Sequence, residues 1–255
     1  MPRASGTGNN EFLLEKIKQA HEMSRRTYGS PRIAKELRGS GVICGKNRIA
    51  RLMRRYGIIA KTKRRFRVTT HCNHRLPVAD NLLNRRFATD GPNKVWLSDI
   101  TYIWTQEGWL YLSVVLDLYN RQVIGWSMDE RLTQDLAITA LQQALGKRRP
   151  DSGAMFHSDR GSQYAGYAFR RVLTEHSLSQ SMSSTGNCYD NAVVESFFHT
   201  LKTEVVYCER YRSRAEARQS IFEYIEVFYN RVRRHSSLGY LSPLDFGNRT
   251  SDKAA

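Results

Sequence analysis

The sequence predicts an α/β protein, a mixed sheet with flanking helices, preceded by a small all-α helix-turn-helix region. Three observations carry this reading. Three apolar runs rich in β-branched and aromatic residues follow one another between Val95 and Met128. Segments of alternating helical and strand character come after them. Ahead of them lies a strongly basic stretch whose apolar residues keep the spacing of short helices.

Charge sharpens the division. The 255 residues include 40 Lys and Arg against 24 Asp and Glu, a formal net charge of +16. Residues 1–89 hold 21 of the cations and 5 of the acids, whereas residues 90–255 hold 19 of each. All the excess therefore sits in the first third. A folded polyanion binder accounts for this, because each phosphate neutralised releases condensed counterions. A solvated basic face is the plainer alternative. No run approaches the roughly 20 apolar residues needed to cross a bilayer, and MPRASGTGNNEF lacks the apolar core of a signal peptide. No membrane partner is expected, and a cytoplasmic, nucleoid-associated protein is. Cys44, Cys72, Cys188 and Cys208 are scattered without a CxxC pair, which suits a reducing compartment.

In the basic third, Ser30-Pro31 reads as a helix start, with Ser30 as N-cap and Pro31 in the first turn. Ile33 and Leu37 share a face, and Gly39-Ser40-Gly41 ends the helix. A second helix is expected from Lys46 to Tyr56, with Ile49, Leu52 and Met53 inward. Its other face carries Lys46, Arg48, Arg51, Arg54 and Arg55, the candidate DNA-binding residues. Two short helices joined by a glycine turn, the second basic, read as a helix-turn-helix. A plain helical hairpin is the alternative. KTKRRFR at 61–67 opens an aperiodic basic linker that reaches Thr89 and tracks phosphate backbone, with Phe66 stacking or packing. His71, Cys72 and His74 lack the spaced pairs of a zinc site.

VWLSDITYIW, WLYLSVVLDL and QVIGWSM are expected to form an antiparallel meander, with turns at 106–108 and 119–121. A helix follows from Asp135 to Lys147, with Leu136, Ala140, Leu141 and Ala144 on one side. MFHSD reads as a short buried strand, Tyr167–His176 as a helix and LSQSMS as a weak strand. Asp190 is placed to cap a helix from Asn191 to about Tyr207. A last helix starts at Ser213, where S-R-A-E makes a capping box with Glu216, and Ile221, Ile225, Phe228 and Val232 line it.

Three acids stand out by their surroundings. Asp99 lies inside an apolar strand, Asp159 ends a second strand, and Glu195 sits early in a helix among Val193, Val194, Phe197 and Phe198. Charges in apolar surroundings are costly unless paired or bound to metal. Converging carboxylates suit hard divalent cations, which leave coordination sites open for phosphate and water. A strand Asp is also often a salt-bridge partner. Asp117 precedes a turn, Asp190 has a capping role, and Glu204 lies at a different helical angle. Periodicity alone does not choose the trio.

Between Tyr28 and Pro243 run YGSPRI, WLSDITYI, FHSDRGSQY, DNAVVESFFHTLK and YNRVRRHSSLGYLSP. On these pieces the chain resembles the second-frame (OrfB) transposases of the insertion-sequence-three family. Their core is similar to retroviral integrase catalytic domains of the ribonuclease-H-like fold. The 35 residues between Asp159 and Glu195 match that family's spacing of its second and third acids, and Lys202 matches its basic residue seven positions further on. Seven residues are almost two turns, which puts Lys202 on the Glu195 face.

The resemblance implies a DDE core in which Asp99, Asp159 and Glu195 are the catalytic acids and ligands of Mg²⁺ or Mn²⁺, two ions to a site. It implies strand cleavage and strand transfer at insertion-sequence ends without a covalent protein–DNA intermediate, often by way of a circular form. Lys202 would hold the element's end. His157, Ser162 and Gln163 flank the second acid, with His157 equally suited to a structural role. Asn187, Tyr189 and Asn191 are placed either to face DNA or to serve turn and cap. Implied partners are end and target DNA, a homo-oligomer on DNA, and an upstream-frame helix-turn-helix protein or fusion. The expected divisions are a helix-turn-helix region at 1–60, a linker at 61–89, the catalytic core at 90–235 and a tail at 236–255. A DNA-binding regulator with an inert α/β domain and a nuclease that never joins strands stay open. Serine and tyrosine recombinases lack support, since no Ser or Tyr sits in an arginine-rich active-site pattern.

Overall fold

In the computed structural model, the described residues are 8–61, 76–184 and 188–251. The KTKRRFR run with Phe66, the histidines and cysteine at 71–74, and Asn187 lie outside them. The chain divides into two compact units: Met1–Arg65 with Val232–Leu241, and Phe66–Arg231 with Ser242–Ala255.

The first unit is a helical triad. Helix α1 spans Gly8–Met23, α2 Ser30–Gly39 and α3 Lys46–Arg55. Leu13, Ile17 and Ala20 of α1 are buried together with Ile33, Leu37, Ile49, Leu52 and Met53. The inward faces of α2 and α3 are those their apolar spacing dictates. Helix α1 was not foreseen, although Leu13, Ile17 and Ala20 keep an i, i+4, i+7 spacing. The N-cap of α2 is Gly29, so Ser30 is the first helical residue and gives no side-chain cap. Ser40 ends the helix, and Gly41 takes a left-handed φ of 81° that lets the chain turn toward α3. Residues 232–241 belong to this unit because Tyr28 and Glu36 hold them. Arg234 N donates to the Tyr28 hydroxyl at 2.6 Å, and the Arg234 guanidinium pairs with Glu36.

The second unit is built on a five-stranded mixed sheet of order β3-β2-β1-β4-β5. Strands β1 (Val95–Thr105), β2 (Gly108–Asp117) and β3 (Val123–Asp129) form the antiparallel meander. The first turn is tight because Gly108 supplies a φ of 103°. Helix α4 (Gln134–Lys147) returns over the sheet, and β4 (Met155–Ser158) then pairs parallel to β1. Two short helices, α5 (Ser162–Ala165) and α6 (Tyr167–Glu175), lead to β5 (Ser179–Met182), parallel to β4. The core between sheet and helices contains Trp96, Val115, Ala140, Ala144, Phe156 and Phe169. At Gly125 helix α4 comes so close that a Cβ would strike the Ala140 carbonyl oxygen and lie 2.8 Å from Ala144 Cβ. This is the ribonuclease-H-like mixed sheet with flanking helices that the resemblance implied.

Helix α7 (Ala192–Glu204) follows a 3-10 turn at Cys188–Asn191, and α8 (Arg214–Phe222) continues into a π-helical stretch, Glu223–Tyr229. Ser213 caps α8 by accepting from Glu216 N, as its capping box requires. Ile221, Ile225 and Phe228 are buried, but the helix ends before Val232 and leaves that residue partly exposed. Two stretches carry more structure than their composition indicates. The second half of the expected linker is bound to the sheet: Leu83 is buried, and Leu82 N donates to Ser181 Oγ at 2.9 Å. The expected tail contains helix α9 (Pro243–Ser251), which Leu244 N ties to the Asn230 carbonyl.

Candidate active site

Parallel pairing between β1 and β4 brings the first two acids together. The last in-register pair is Leu97 with His157. Asp99 and Asp159 each lie two residues further along, on the face of that pair, on strands that pack about 4.8 Å apart. Each turns one oxygen to a local amide: Ile100 N donates to Asp99 Oδ1 at 2.7 Å, and Gly161 N to Asp159 Oδ1 at 2.9 Å. A Cβ at Gly161 would lie 2.9 Å from Gln163 Oε1 and 3.0 Å from that same Asp159 oxygen, so a side chain there would push on both of those side-chain ends.

Beyond Leu97 the β4 edge of β1 has no strand partner, and α7 meets it instead. Asn191, at the start of α7, donates from Nδ2 to the Ser98 carbonyl at 3.1 Å. Glu195 follows one turn later on the same face of the helix. Asp190, expected as the cap of this helix, does other work. It accepts from Asn81 Nδ2, Arg85 Nε and Ser184 N, and so ties the 81–85 segment beneath the site.

Electrostatics link the acids. Burial holds the Asp99 carboxyl well above its ordinary range, and the charges of Asp159 and Glu195 push it further the same way. Loss of solvent around the Glu195 carboxyl raises it as well, although the residue is exposed. Lys202 is buried, with its Nζ 4.9 Å from the centre of the Tyr102 ring. Burial lowers its pKa and the charge of Asp99 opposes that. Among the described residues no group of three or more His, Cys, Asp and Glu is drawn together closely enough to hold a metal ion. The donor set fits a hard divalent cation, because the charges of two other carboxylates act on buried Asp99, with the Ile100 amide and Lys202 opposing them.

The flanking residues divide clearly. His157 is buried: Ser181 Oγ lies 2.8 Å from Nδ1 and Ser183 Oγ 3.3 Å from Nε2. Ser181 Oγ also accepts from the amides of Leu82 and Leu83. Its single proton must then go to Nδ1, which puts the imidazole hydrogen on Nε2. Burial lowers the His157 pKa to about 4, so His157 is a structural strut. Asp117 and Glu204 are buried and engaged, Asp117 with the amides of Asn93 and Tyr119 and Glu204 with the Tyr224 hydroxyl. Tyr164 was not foreseen. It is fully buried, bonds Ser98 Oγ at 2.9 Å, and is held well above its ordinary pKa by burial and by the charges of Asp99 and Asp159. Only its place in FHSDRGSQY hinted at it.

In the helical unit, Lys46, Arg51, Arg54 and Arg55 are exposed on α3. Arg48 differs, since its guanidinium donates to Asn10 Oδ1 of α1 at 2.7 Å. No helix among the described residues is long and apolar enough to cross a membrane.

The chain has clear relatives among known proteins. The family HTH-like domain matches residues 8–66, and the family Integrase core domain matches residues 89–188 and, in a second form, 176–243. The chain is 49% identical over 247 residues to the insertion element IS600 uncharacterized 31 kDa protein of Shigella sonnei, covering 97% of this chain and 91% of that one. It is 48% identical over 230 residues to transposase InsF for insertion sequence IS3A of Escherichia coli, covering 90% and 80%. The HTLV-2 integrase catalytic core domain in complex with magnesium aligns with a TM-score of 0.47 at 15% identity, covering 63% of this chain and 99% of that chain. Likeness to the two insertion-element proteins covers 97% and 90% of the chain, which belongs to the IS3-type insertion-sequence transposases, DDE enzymes with an HTH-like region and an integrase core.

Proposed function

We propose that the chain cleaves DNA at the ends of an insertion sequence and joins those ends to new DNA, with Asp99, Asp159 and Glu195 as ligands of Mg²⁺ or Mn²⁺, two ions to a site. The observation that carries this is the register that sets Asp99 within β1 and Asp159 just past the end of the parallel β4, each two residues beyond the Leu97–His157 pair, with Glu195 on the helix pinned to β1. When bound, the metal supplies Lewis acidity to phosphodiester oxygens and eases deprotonation of an attacking hydroxyl. The protein's own part is positional. Amide bonds from Ile100 and Gly161 set the rotation of the two aspartates, and Gly161 keeps the approach to Asp159 clear. Lys202 offers a partly desolvated ammonium beside Asp99, suited to a DNA phosphate.

DNA is further held by Lys46, Arg51, Arg54 and Arg55 of α3, with Arg48 bracing that helix on α1. Residues 1–60 then act as the helix-turn-helix, 61–89 as a basic connection and 90–235 as the catalytic core. Partners of this reading are end and target DNA, further copies of the chain on that DNA, and an upstream-frame helix-turn-helix protein or fusion. The place of action is the cytoplasmic nucleoid. The test is cleavage and joining on DNA bearing the element's flanking ends, with Mg²⁺ or Mn²⁺ against a chelator and with the upstream-frame protein supplied. Metal-dependent joined products are expected. Cleavage without joining would make the chain a nuclease, and binding without cleavage a regulator.

A further inference from the structure

The far end of the β1–β2 hairpin carries an aromatic cluster that the chemistry above does not use. Tyr102 and Trp104 lie two apart on β1, and Trp109 is the register partner of Trp104 on β2, so all three rings share one face. Trp109 meets Trp104 edge to face with ring centres 4.8 Å apart, and Tyr102 with centres 5.1 Å apart. This packing is incomplete, because Trp104 remains 59% exposed and Trp109 43%. Large rings left in water at a hairpin end cost solvation and add nothing to the core.

Charges of both signs surround the rings, and the cations among them include two guanidiniums with no carboxylate partner among the described residues. The hairpin is tied to the segment before α8: Gln106 N donates to the Tyr211 carbonyl, and Arg214 Nε to the Trp109 carbonyl. That segment carries Arg210 and Arg212, both exposed, and neither side chain makes an ion pair or hydrogen bond with a described residue. The nearby acids are already engaged. Glu107 accepts from Arg214 N, Glu130 pairs with the Arg214 guanidinium, Glu209 accepts from Ser220 and Glu216 from Arg212 N. On the other side, Lys202 reaches from α7 over Tyr102. Exposed indole faces flanked by uncommitted guanidiniums suit a ligand that is both flat and anionic, which is the chemistry of an unpaired nucleotide. A duplex would keep its base faces stacked on one another and could not use the rings.

We propose that this hairpin face is a subsite for single-stranded DNA, with an unpaired base stacked on Trp104 and Trp109 and its phosphates met by Arg210 and Arg212. The inference rests on the DNA-processing reading, to which it adds a single-stranded form of DNA held at the hairpin end. Tyr102 is three residues from Asp99 on the same strand, about 10 Å along it. The odd spacing puts the Tyr102 and Asp99 side chains on opposite faces of the strand, so the rings form a hairpin-end site of their own, apart from the acids.

The test uses the full chain without divalent metal and a short oligothymidylate carrying one fluorescent purine analogue, against a duplex of equal length. Wild type is expected to quench the analogue. Trp104→Ala should abolish the quench and weaken single-strand binding by about tenfold, with duplex binding changed by less than about twofold. Trp104→Phe should restore part of the binding. Arg210→Ala with Arg212→Ala should weaken single-strand binding and flatten its salt dependence. Trp104 is mostly exposed, so the variant is expected to fold, as far-ultraviolet circular dichroism would verify. Unchanged quench and affinity in Trp104→Ala would overturn the inference. So would loss of self-association in sedimentation with single-strand binding intact, since the face would then take a second copy of the chain. Neither readout needs cleavage. Stacking without any strand transfer would sink the transposase chemistry and spare this subsite, and transfer without stacking would do the reverse.

Discussion

The side-chain amide of Asn191 donates to the main-chain carbonyl of Ser98 across 3.1 Å, one residue before Asp99. This bond ties the first turn of α7 to the open edge of β1 and sets where Glu195 stands relative to the two aspartates. Asn191 is buried, and its Oδ1 has no hydrogen-bond partner among the described residues. Replacing Asn191 with Ala removes one buried hydrogen bond, worth about 0.5–1.5 kcal/mol. Strand transfer should fall much further, by about a hundredfold, because a displacement near 1 Å at a reacting centre has that effect. Rates of strand transfer beside thermal unfolding would separate the two. A loss of activity no larger than the loss of stability would defeat the positional role of Asn191.

Asp99 is held above its ordinary pKa first by burial and then by Asp159 and Glu195. The folded metal-free chain therefore binds this proton more tightly than the unfolded chain does. Its stabilising effect is complete below the ordinary aspartate pKa and is lost as pH rises through the raised folded value. Asp99→Asn should accordingly raise the melting temperature of the metal-free protein at neutral pH, with the gain shrinking in acid. Adding Mg²⁺ or Mn²⁺ should stabilise wild type and leave the variant unmoved. Thermal melts across pH, with and without metal, provide the check, and a variant less stable than wild type at neutral pH would contradict it.

The imidazole of His157 behaves in the opposite sense. Its pKa drops from 6.5 to about 4 through burial, so the fold favours the neutral ring. That contribution is present above about 6.5 and is lost as pH falls toward about 4, up to about 3 kcal/mol in all. His157→Gln should lower stability at neutral pH and flatten its dependence over that window. Denaturant titrations at several pH values would show this, and an unaltered slope would mean that another group carries the acid sensitivity.

On α3, Arg51 and Arg54 point to water whereas Arg48 is engaged with Asn10. Arg51→Ala with Arg54→Ala should weaken duplex binding and reduce the salt slope by about 2. Arg48→Ala should mainly loosen the α1–α3 contact. Binding isotherms over a range of salt concentrations test both, and an unchanged slope in the double variant would take α3 out of the DNA interface.

Strong local patterns made much of this legible in advance. The meander, α4, β4 and β5 follow from runs of apolar and β-branched residues, and the capping box at Ser213 appears as spaced. The three acids were not separable from Asp117 or Asp190 by spacing alone. They stand out in three dimensions because Leu97 pairs with His157, a register that links residues sixty positions apart. Long-range bonds account for the other misses. Asp190 looked like a helix cap but is consumed by Asn81, Arg85 and Ser184. Arg48 looked free until α1 supplied Asn10, and residues 232–241, divided in the sequence reading between core and tail, are held instead by Tyr28 and Glu36.

The most direct test of the central claim compares wild type with Glu195→Gln on DNA bearing the element's ends, in Mg²⁺ or Mn²⁺ and with the upstream-frame protein present. Glu195 is exposed, so its amide should leave folding and DNA binding intact. Joined products should fall by about a hundredfold or more. Joining at the wild-type rate in Glu195→Gln would contradict the three-carboxylate account of this site.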